Sequence, residues 1–331
     1  MNTRKFGSFS CAPIGLGCMS LSHAYGTPPG TKDAEYLLHQ ALDLGYTMLD
    51  TAALYGFGAN ETLIGNTLSH KRDQFVLASK CGMFKNDAGV REIDGRPATI
   101  KKTCEDSLAR LKTDVIDLYY LHRWDRKVPI EESVGALSDL VKEGKIKDIG
   151  LSEVSANTLR KAHAVHPIAA VQTEYSLWTR NPEIAVLEAC KELGATFVAF
   201  SPLARAFLTG KLLDVTQFEA KDIRKNMPRF DADAYAQNLS LLDRIKPIAQ
   251  AEGCSLSQLA LAWLLTLDET IVPIPGTTNL EHLAENFKAS EIRLSSDTMQ
   301  LLDSIFTPSS IVGTRYNKAT QAEIDTEEFK E

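Results

Sequence analysis

The sequence predicts an α/β protein folded as a single (β/α)8 (TIM) barrel. Three observations support this fold class: eight short apolar runs recur along the chain, amphipathic helical segments separate them, and no linker or change in composition divides them. Nearly continuous apolarity is typical of parallel strands that are covered on both faces. Eight alternating units favour a closed barrel, with an open doubly wound sheet as the structural alternative.

The eight predicted strands are rich in aliphatic, aromatic and β-branched residues. They cover residues 13–18, 46–50, 75–80, 117–122, 146–152, 170–175, 196–201 and 270–275. Apolar residues recur with helical spacing in residues 32–44 and 130–142. Ser255 and Gln258 predict a capping box that opens a helix through Leu265. Left-handed glycines are expected to close helices just before three strands, at Gly45, Gly144 and Gly194.

One domain is predicted over residues 1–331, with an N-terminal lead-in of residues 1–11 and a C-terminal tail of residues 306–331. Three long stretches show no periodicity: residues 81–98, residues 203–235 and the tail. The first two follow the third and seventh predicted strands. They therefore lie on the face where barrel enzymes carry their sites.

Composition excludes several classes of protein. The net charge is −7 and no basic stripe is present, which argues against nucleic acid or an anionic membrane as a partner. No apolar run is long enough to span a bilayer, and the N-terminus has no secretory signal. The six cysteines form no CxxC pair, so we expect free thiols, no metal site and a cytoplasmic location.

Three neighbouring predicted strands end in chemically reactive side chains. The second ends at Asp50, the third at Lys80 and the fourth at His122, and Tyr55 follows Asp50 by five residues. Taken singly, each has an ordinary structural explanation, such as a loop anchor or a solvated charge. Together at one rim, Asp50 and Lys80 are expected to pair. We expect the Lys80 charge to lower the pKa of Tyr55 and make it a proton donor.

The other predicted strands end in small polar groups. The fifth ends at Ser152, the sixth holds Gln172, and the eighth leads through Gly276 and Thr277 towards a helix N-terminus suited to phosphate. Simple turn chemistry is the alternative explanation for these residues. Neither glycine-rich stretch fits the dinucleotide fingerprint of an open α/β sheet, and HExxH, G-x-S-x-G and Walker patterns are absent.

These residues, taken in order, resemble the aldo-keto reductase family. The resemblance rests on Asp50-Thr-Ala-Ala-Leu-Tyr55-Gly, Lys80, Leu121-His122-Arg, Gly150-Leu-Ser152, Gln172 with Tyr175, Ser201-Pro-Leu-Ala204, Leu208-Thr-Gly210-Lys211, and Ile274-Pro-Gly-Thr277 through Glu285-Asn286. It covers roughly residues 10–305. The chain looks most similar to the bacterial, plant and fungal branch that includes pyridoxal reductases and general carbonyl reductases.

The resemblance implies a role for each of these positions. Tyr55 would protonate the carbonyl oxygen, Lys80 held by Asp50 would tune Tyr55, and His122 would orient the carbonyl. Ser152 and Gln172 would hold the nicotinamide carboxamide, and Tyr175 would stack on the ring. The pyrophosphate would lie along Ser201, Leu203, Arg205, Gly210 and Lys211. The adenosine end would be held by Gly276, Thr277, Thr278, His282, Glu285 and Asn286.

The sequence departs from the family pattern at several positions, one of which is Ala206 in place of a frequent glycine. Glu153 replaces an asparagine beside Ser152, which removes or replaces a carboxamide contact. Gly276, Thr278, Asn279 and His282 stand where many relatives place Lys or Arg against the 2′-phosphate. NADPH is the expected cofactor, with NADH as the alternative because a neutral histidine is a poorer phosphate partner than arginine.

The sequence therefore predicts an NADPH-dependent reductase of aldehydes and ketones. Small aliphatic or aromatic aldehydes, including pyridoxal, are the expected substrates, and a homo-oligomer is a family-level expectation. Three alternatives remain open: an NAD(H)-preferring dehydrogenase, a regulatory binding subunit with the same fold, and a Schiff-base enzyme that uses Lys80 as its nucleophile.

Overall fold

A computed structural model describes residues 3–85 and 89–329. Twelve strands occur there: β1 (Arg4–Phe6), β2 (Phe9–Cys11), β3 (Leu16–Gly17), β4 (Met48–Asp50), β5 (Val76–Cys81), β6 (Met83–Lys85), β7 (Arg91–Ile93), β8 (Ile116–Leu121), β9 (Ile146–Ser152), β10 (Ile168–Glu174), β11 (Thr196–Phe200) and β12 (Ile271–Pro273). Eight of them form one parallel sheet, in the order β12-β11-β10-β9-β8-β5-β4-β3. Each predicted strand overlaps one of these eight, which confirms the fold class.

Backbone hydrogen bonds between the first and last strands of the sheet close the barrel. The N–H of Gly15 donates to the Pro273 carbonyl at 3.0 Å, and the N–H of Gly17 donates to the Pro275 carbonyl at 3.2 Å. A Cβ atom at Gly17 would lie 2.8 Å from the Ile274 carbonyl oxygen, too close for any other residue. Glycine at this seam therefore allows the two edges to meet.

The helices are α1 (Thr31–Leu44), α2 (Ala59–Leu68), α3 (Pro97–Leu111), α4 (Ile130–Lys142), α5 (Ala156–Val165), α6 (Val186–Leu193), α7 (Ala232–Ala251), α8 (Leu256–Leu267), α9 (Leu280–Lys288), α10 (Ser296–Ile305) and α11 (Lys318–Gln321). The predicted capping box is present at the start of α8, with Ser255 and Gln258 bonded reciprocally. The three predicted glycines have φ angles of 104°, 73° and 69° at Gly45, Gly144 and Gly194. No helix within the described ranges has the length and apolarity needed to cross a membrane.

Two antiparallel hairpins lie outside the barrel sheet, and neither was predicted from the sequence. β1 and β2 pair across the bottom of the barrel, where Phe6 is completely buried against inward-facing residues such as Met48 and Tyr120. β6 and β7 pair within residues 81–98, which were expected to be irregular. Strands of three residues are too short to show an alternating pattern, so both hairpins escape detection by periodicity.

Candidate active site

The carboxyl ends of β4 and β5 bring Asp50 and Lys80 into a buried ion pair. The Lys80 Nζ lies 2.5 Å from Asp50 Oδ1 and 2.8 Å from the Thr51 carbonyl oxygen. The second carboxylate oxygen, Oδ2, accepts a hydrogen bond of 2.7 Å from the Gln172 amide. Burial lowers the pKa of Lys80, but Asp50 and Tyr55 raise it more, so its net shift is upward. Lys80 is therefore held as an ammonium ion.

This environment weakens the alternative that Lys80 is a Schiff-base nucleophile. Such a lysine needs a free, uncharged amine that the substrate can reach. The Lys80 side chain is completely buried and is bonded to Asp50, the Thr51 carbonyl and Tyr55. Its position beneath the site suits electrostatic support of a neighbouring group.

That neighbouring group is Tyr55, whose hydroxyl lies 3.2 Å from the Lys80 Nζ. Tyr55 begins a short 3-10 helix, Tyr55–Gly58, that follows β4 and turns the ring back over the barrel mouth. Burial raises the pKa of Tyr55 above its usual value, although the Lys80 charge opposes this shift. The expected net lowering of the pKa is therefore wrong, because burial outweighs the lysine in the free protein. The consequence is that Tyr55 is protonated at neutral pH.

His122 follows β8 and lies beside Tyr55. The two ring centroids are 5.9 Å apart and meet edge to face. Burial lowers the pKa of His122 well below its usual value, and the charges of Arg123 and Lys80 contribute to the shift. Its buried Nδ1 has no hydrogen-bond partner among the described residues. A neutral imidazole of this kind can orient a carbonyl group without competing for the Tyr55 proton.

Asp50, Tyr55 and His122 lie at the floor of a cavity of about 800 Å³ at the carboxyl end of the barrel, and Lys80 lies beneath this floor. The volume falls within the range of roughly 300–1,000 Å³ that is typical of ligand pockets. Most of the predicted site residues line it: Asp50, Tyr55, His122, Ser152, Gln172, Ser201, Leu203, Arg205, Lys211, Gly276, Thr277, Thr278, His282, Glu285 and Asn286. The tertiary structure thus brings together residues that are separated by more than two hundred positions in the sequence.

Tyr175 and Gly210 are two predicted contact residues that are absent from the described lining of this cavity. The Tyr175 ring packs between sheet and helices against Phe197 and Trp263, and its hydroxyl donates to Glu183 Oε1 at 2.7 Å. This position contradicts the expected stacking on the cofactor ring. Phe200, the last residue of β11, is an aromatic residue that does line the cavity. The strand-end rule used for Asp50 selects Ser201 here, because the predicted strand runs one residue past the end of β11.

Gly210 has a structural place in the fold. It ends the 3-10 helix Ala204–Thr209 with a φ of 67°, a left-handed conformation that favours glycine. The next residue, Lys211, turns into the cavity, where its Nζ lies 3.2 Å from Nε2 of His282. The turn at Gly210 therefore helps to aim a cationic group at the first turn of α9.

The loop after β11 has an unusual backbone. Ser201, Ala204, Arg205 and Ala206 all have positive φ values although none is glycine. Such backbone strain persists only where the surrounding structure enforces it, and it is common at ligand sites. The Arg205 guanidinium binds Glu174 at 2.8 Å and also contacts the hydroxyl groups of Tyr25 and Tyr316. Its charge is therefore shared with the protein and is not fully available to a phosphate.

The Glu153 side chain binds the C-terminal tail and does not line the cavity. It is buried with a φ of 56°, and its carboxylate accepts hydrogen bonds from Arg315 and from Thr326, the latter at 2.5 Å. Arg315 also contacts Glu174 at 3.2 Å. The departure from asparagine at this position thus anchors the tail to the barrel mouth. This role of Glu153 could not be predicted from the sequence, because its partners in the tail lie more than 160 residues away.

Once anchored, the tail forms one wall of the cavity. Four of its residues line the space: Tyr316, Asn317, Thr320 and Glu323. Across the mouth, Arg91 of β7 forms an ion pair with Glu323. The hairpin β6–β7 and the tail, both expected to be irregular, therefore border the region above Tyr55.

A parallel (β/α)8 barrel that holds a tyrosine, a lysine, an aspartate and a histidine at its mouth is the arrangement of a carbonyl oxidoreductase. The model of the aldo/keto reductase family matches residues 13–306, and the chain belongs to this family. It is 42% identical to aldo-keto reductase yakc [NADP(+)] of Schizosaccharomyces pombe over 95% of this chain and 94% of that protein. It is 41% identical to probable aldo-keto reductase 1 of Glycine max, covering 93% and 89% of the two chains.

Solved structures give the same result. The glycerol dehydrogenase AKR11B4 from Gluconobacter oxydans superposes with a TM-score of 0.83 at 29% identity, covering 92% of this chain and 94% of that chain. An aldo/keto reductase from Klebsiella pneumoniae in complex with NADP and acetate has a TM-score of 0.73 at 28% identity, covering 98% and 99%.

Proposed function

We propose that this protein reduces aldehydes and ketones to alcohols with NADPH, using Tyr55 as the proton donor. The observation that carries the proposal is the contact of Lys80 with both Asp50 and the Tyr55 hydroxyl at the floor of the cavity. When bound, a nicotinamide cofactor supplies the hydride that is added to the carbonyl carbon. The chain's own residues then have to hold the carbonyl and deliver one proton to its oxygen.

Tyr55 donates this proton from its phenolic oxygen, and the carbonyl becomes a hydroxyl group. Its raised pKa keeps the phenol protonated before reaction, as a general acid requires. The phenolate left behind is stabilised by the Lys80 ammonium at 3.2 Å. Asp50 fixes that ammonium in place and balances its charge in the buried site. A proton from solvent restores Tyr55.

His122 orients the substrate in this proposal. A neutral imidazole can donate one hydrogen bond to the carbonyl oxygen, which polarises the C=O bond and positions it against the Tyr55 hydroxyl. The low pKa of His122 favours this neutral form. The edge-to-face packing of the two rings holds their relative orientation.

The residues around the cavity fit a nicotinamide dinucleotide. Ser152 and Gln172 present hydroxyl and amide groups beside the Tyr55 end, where they can hold the carboxamide. Phe200 replaces Tyr175 in this proposal as the aromatic neighbour of the nicotinamide ring. The loop after β11, with Ser201, Leu203 and Arg205, would lie along the pyrophosphate. Gly276, Thr277, Thr278, Glu285 and Asn286 would hold the adenosine end.

NADPH is preferred over NADH in this proposal because of Lys211. Its contact with His282 places a cation at the start of α9, where the sequence alone showed no Lys or Arg. A lysine ammonium and a helix N-terminus both favour a phosphate. The [NADP(+)] in the name of the fission yeast relative and the NADP bound in the Klebsiella structure support the same choice.

Small aldehydes are the proposed substrates. The part of the cavity near Tyr55 is bordered by apolar side chains, including Met19, Leu54 and Met83. These residues suit a small aliphatic or aromatic body, of which pyridoxal is one example. The tail and the β6–β7 hairpin limit the length of the substrate.

The test combines binding and turnover. Fluorescence titration with NADPH and then NADH measures the affinity for each cofactor, and loss of NADPH absorbance with a panel of aldehydes measures reduction. We expect tight NADPH binding and turnover of at least one small aldehyde. Binding of NADPH with no turnover across the panel would contradict the proposal and favour a regulatory subunit. A preference for NADH would favour a dehydrogenase on the same fold.

Three further predictions accompany this proposal. Residues 1–331 are proposed to form one domain, because the lead-in covers the barrel bottom and the tail contacts its mouth. Sedimentation analysis of the purified protein would test the expected homo-oligomer. The cytoplasmic location stays a prediction that imaging of a tagged protein can check.

A further inference from the structure

Two cations that line the cavity have no carboxylate partner among the described residues: Lys211 and Arg123. The other lining arginines are paired, Arg91 with Glu323, Arg205 with Glu174 and Arg224 with Asp222. In the proposed function, the 2′-phosphate of the cofactor is the counterion of Lys211. Arg123 lies at the other side, three strands away in the sheet order, after β8. The proposed function leaves its charge without a counterion.

The position of Arg123 is fixed through a single nitrogen. Its Nη1 donates to the His122 carbonyl oxygen at 2.7 Å and to the Ser152 hydroxyl at 3.0 Å. The Nε and Nη2 groups have no hydrogen-bond partner in the described part of the chain. Arg123 is half-buried, so its charge is partly removed from water. A guanidinium in this state is stabilised by a planar anion that accepts two parallel hydrogen bonds.

The groups that face this end of the cavity leave it positively charged. Tyr55 and His122 are uncharged, and His23, whose pKa burial lowers, lies with its ring 6.5 Å from that of Tyr55. Two carboxylates of the described residues also line the region, but each is already paired. Asp50 is bound to Lys80 and Gln172, and Glu323 is bound to Arg91. Arg123 therefore supplies the unbalanced charge.

We propose that Arg123 binds a carboxylate on the carbonyl substrate, so that the preferred substrates are short aldehydo or oxo acids. The inference rests on the proposed reductase function and names its substrate class. Arg123 reaches Ser152 on β9, the strand next to β8, which ends beside His122. Neighbouring strands are about 4.8 Å apart, so a carboxylate on Arg123 and a carbonyl beside His122 can belong to one short substrate. One unpaired guanidinium balances a monoanion and not a phosphate dianion.

Steady-state kinetics with a matched substrate pair tests this assignment. The probes, used at saturating NADPH, are succinic semialdehyde and its methyl ester, which lacks the negative charge and carries one added methyl group. We expect wild-type kcat/KM to favour the acid by about tenfold or more. Arg123→Gln should bring the ratio of acid to ester close to one, mainly by raising KM for the acid. Arg123→Lys should restore part of the ratio, and Lys127→Gln, an exposed cation in the same loop, should retain it.

The outcomes separate the inference from the proposed function. If wild type turns over both substrates with a ratio near one, the carboxylate assignment is overturned while the reductase function stands. If Arg123→Gln lowers both substrates equally, Arg123 acts only by positioning Ser152, and the assignment is again overturned. If wild type binds NADPH but reduces neither substrate nor any member of the aldehyde panel, the proposed function falls and this inference falls with it.

Discussion

The Nζ of Lys211 lies 3.2 Å from Nε2 of His282, although the two residues are 71 positions apart in the chain. This contact joins the loop after β11 to the first turn of α9. It also places a positively charged group beside the first turn of α9, whose own charged residue is the acidic Glu281.

The Lys211→Met variant should therefore weaken NADPH binding by about ten- to a hundredfold and leave NADH binding nearly unchanged, because only NADPH carries the 2′-phosphate. Fluorescence titration with each cofactor measures the effect. Lys161→Met, an exposed change on α5, is the matched control and should bind both cofactors as wild type does. Equal losses for NADPH and NADH would instead assign Lys211 to the pyrophosphate, as the family resemblance implied.

The Tyr55→Phe variant should lose about 10²- to 10⁴-fold in kcat for aldehyde reduction, because the general acid is removed while the ring remains. NADPH affinity should stay within about threefold of wild type, since the hydroxyl is assigned to the substrate. Retained turnover in a correctly folded Tyr55→Phe protein would refute the assigned role. Phe57→Leu, a change at an exposed ring two residues away, should keep nearly full activity.

His122 makes the stability of the fold depend on pH. Burial depresses its pKa in the folded protein, whereas the unfolded chain titrates near the ordinary value of about 6.5. The unfolded state therefore binds a proton that the folded state does not bind as the pH falls below about 6.5. We expect Tm to fall between pH 7 and pH 5, and to fall less steeply in His122→Gln. The exposed His70→Gln control should keep the wild-type slope, and an identical slope in all three proteins would contradict the prediction.

The ion pair of Glu153 with Arg315 should hold the tail on the barrel. Glu153→Gln leaves a buried guanidinium with one fewer anion, so we expect the free energy of unfolding to fall by about 3 kcal/mol. Urea denaturation measures this change, and limited proteolysis should show earlier cleavage within the tail. The exposed change Glu143→Gln should alter neither measurement.

A double variant makes the same prediction sharper. Arg315→Met combined with Glu153→Gln removes both charges, and it should recover part of the lost stability because no uncompensated charge remains. Strict additivity of the two single losses would show that the residues do not act as a pair.

The sequence was sufficient to predict the barrel fold and the group of reactive residues at its mouth. Apolar runs between amphipathic helices specify the strands, and parallel strands necessarily direct their carboxyl ends to one face. Asp50, Lys80 and His122 could therefore be assigned to one site from their place at the ends of runs. Phe200 was missed because the seventh strand was predicted to end one residue later, at Ser201. The assignment of Tyr175 was wrong because a residue just past a strand can turn towards either layer.

Only the tertiary structure decided which distant charges pair. It also decided whether burial or a neighbouring charge dominates the pKa of each buried group. The sequence could not show that Glu153 binds Arg315 or that Lys211 contacts His282, because these contacts depend on how loops fold across the mouth. For the same reason it could not show that Arg123 has no carboxylate partner among the residues that the structure describes. Nor could it show that burial outweighs Lys80 in setting the pKa of Tyr55. Periodicity fixes local structure over a few residues, whereas desolvation and ion pairing act through space between segments that the sequence keeps far apart.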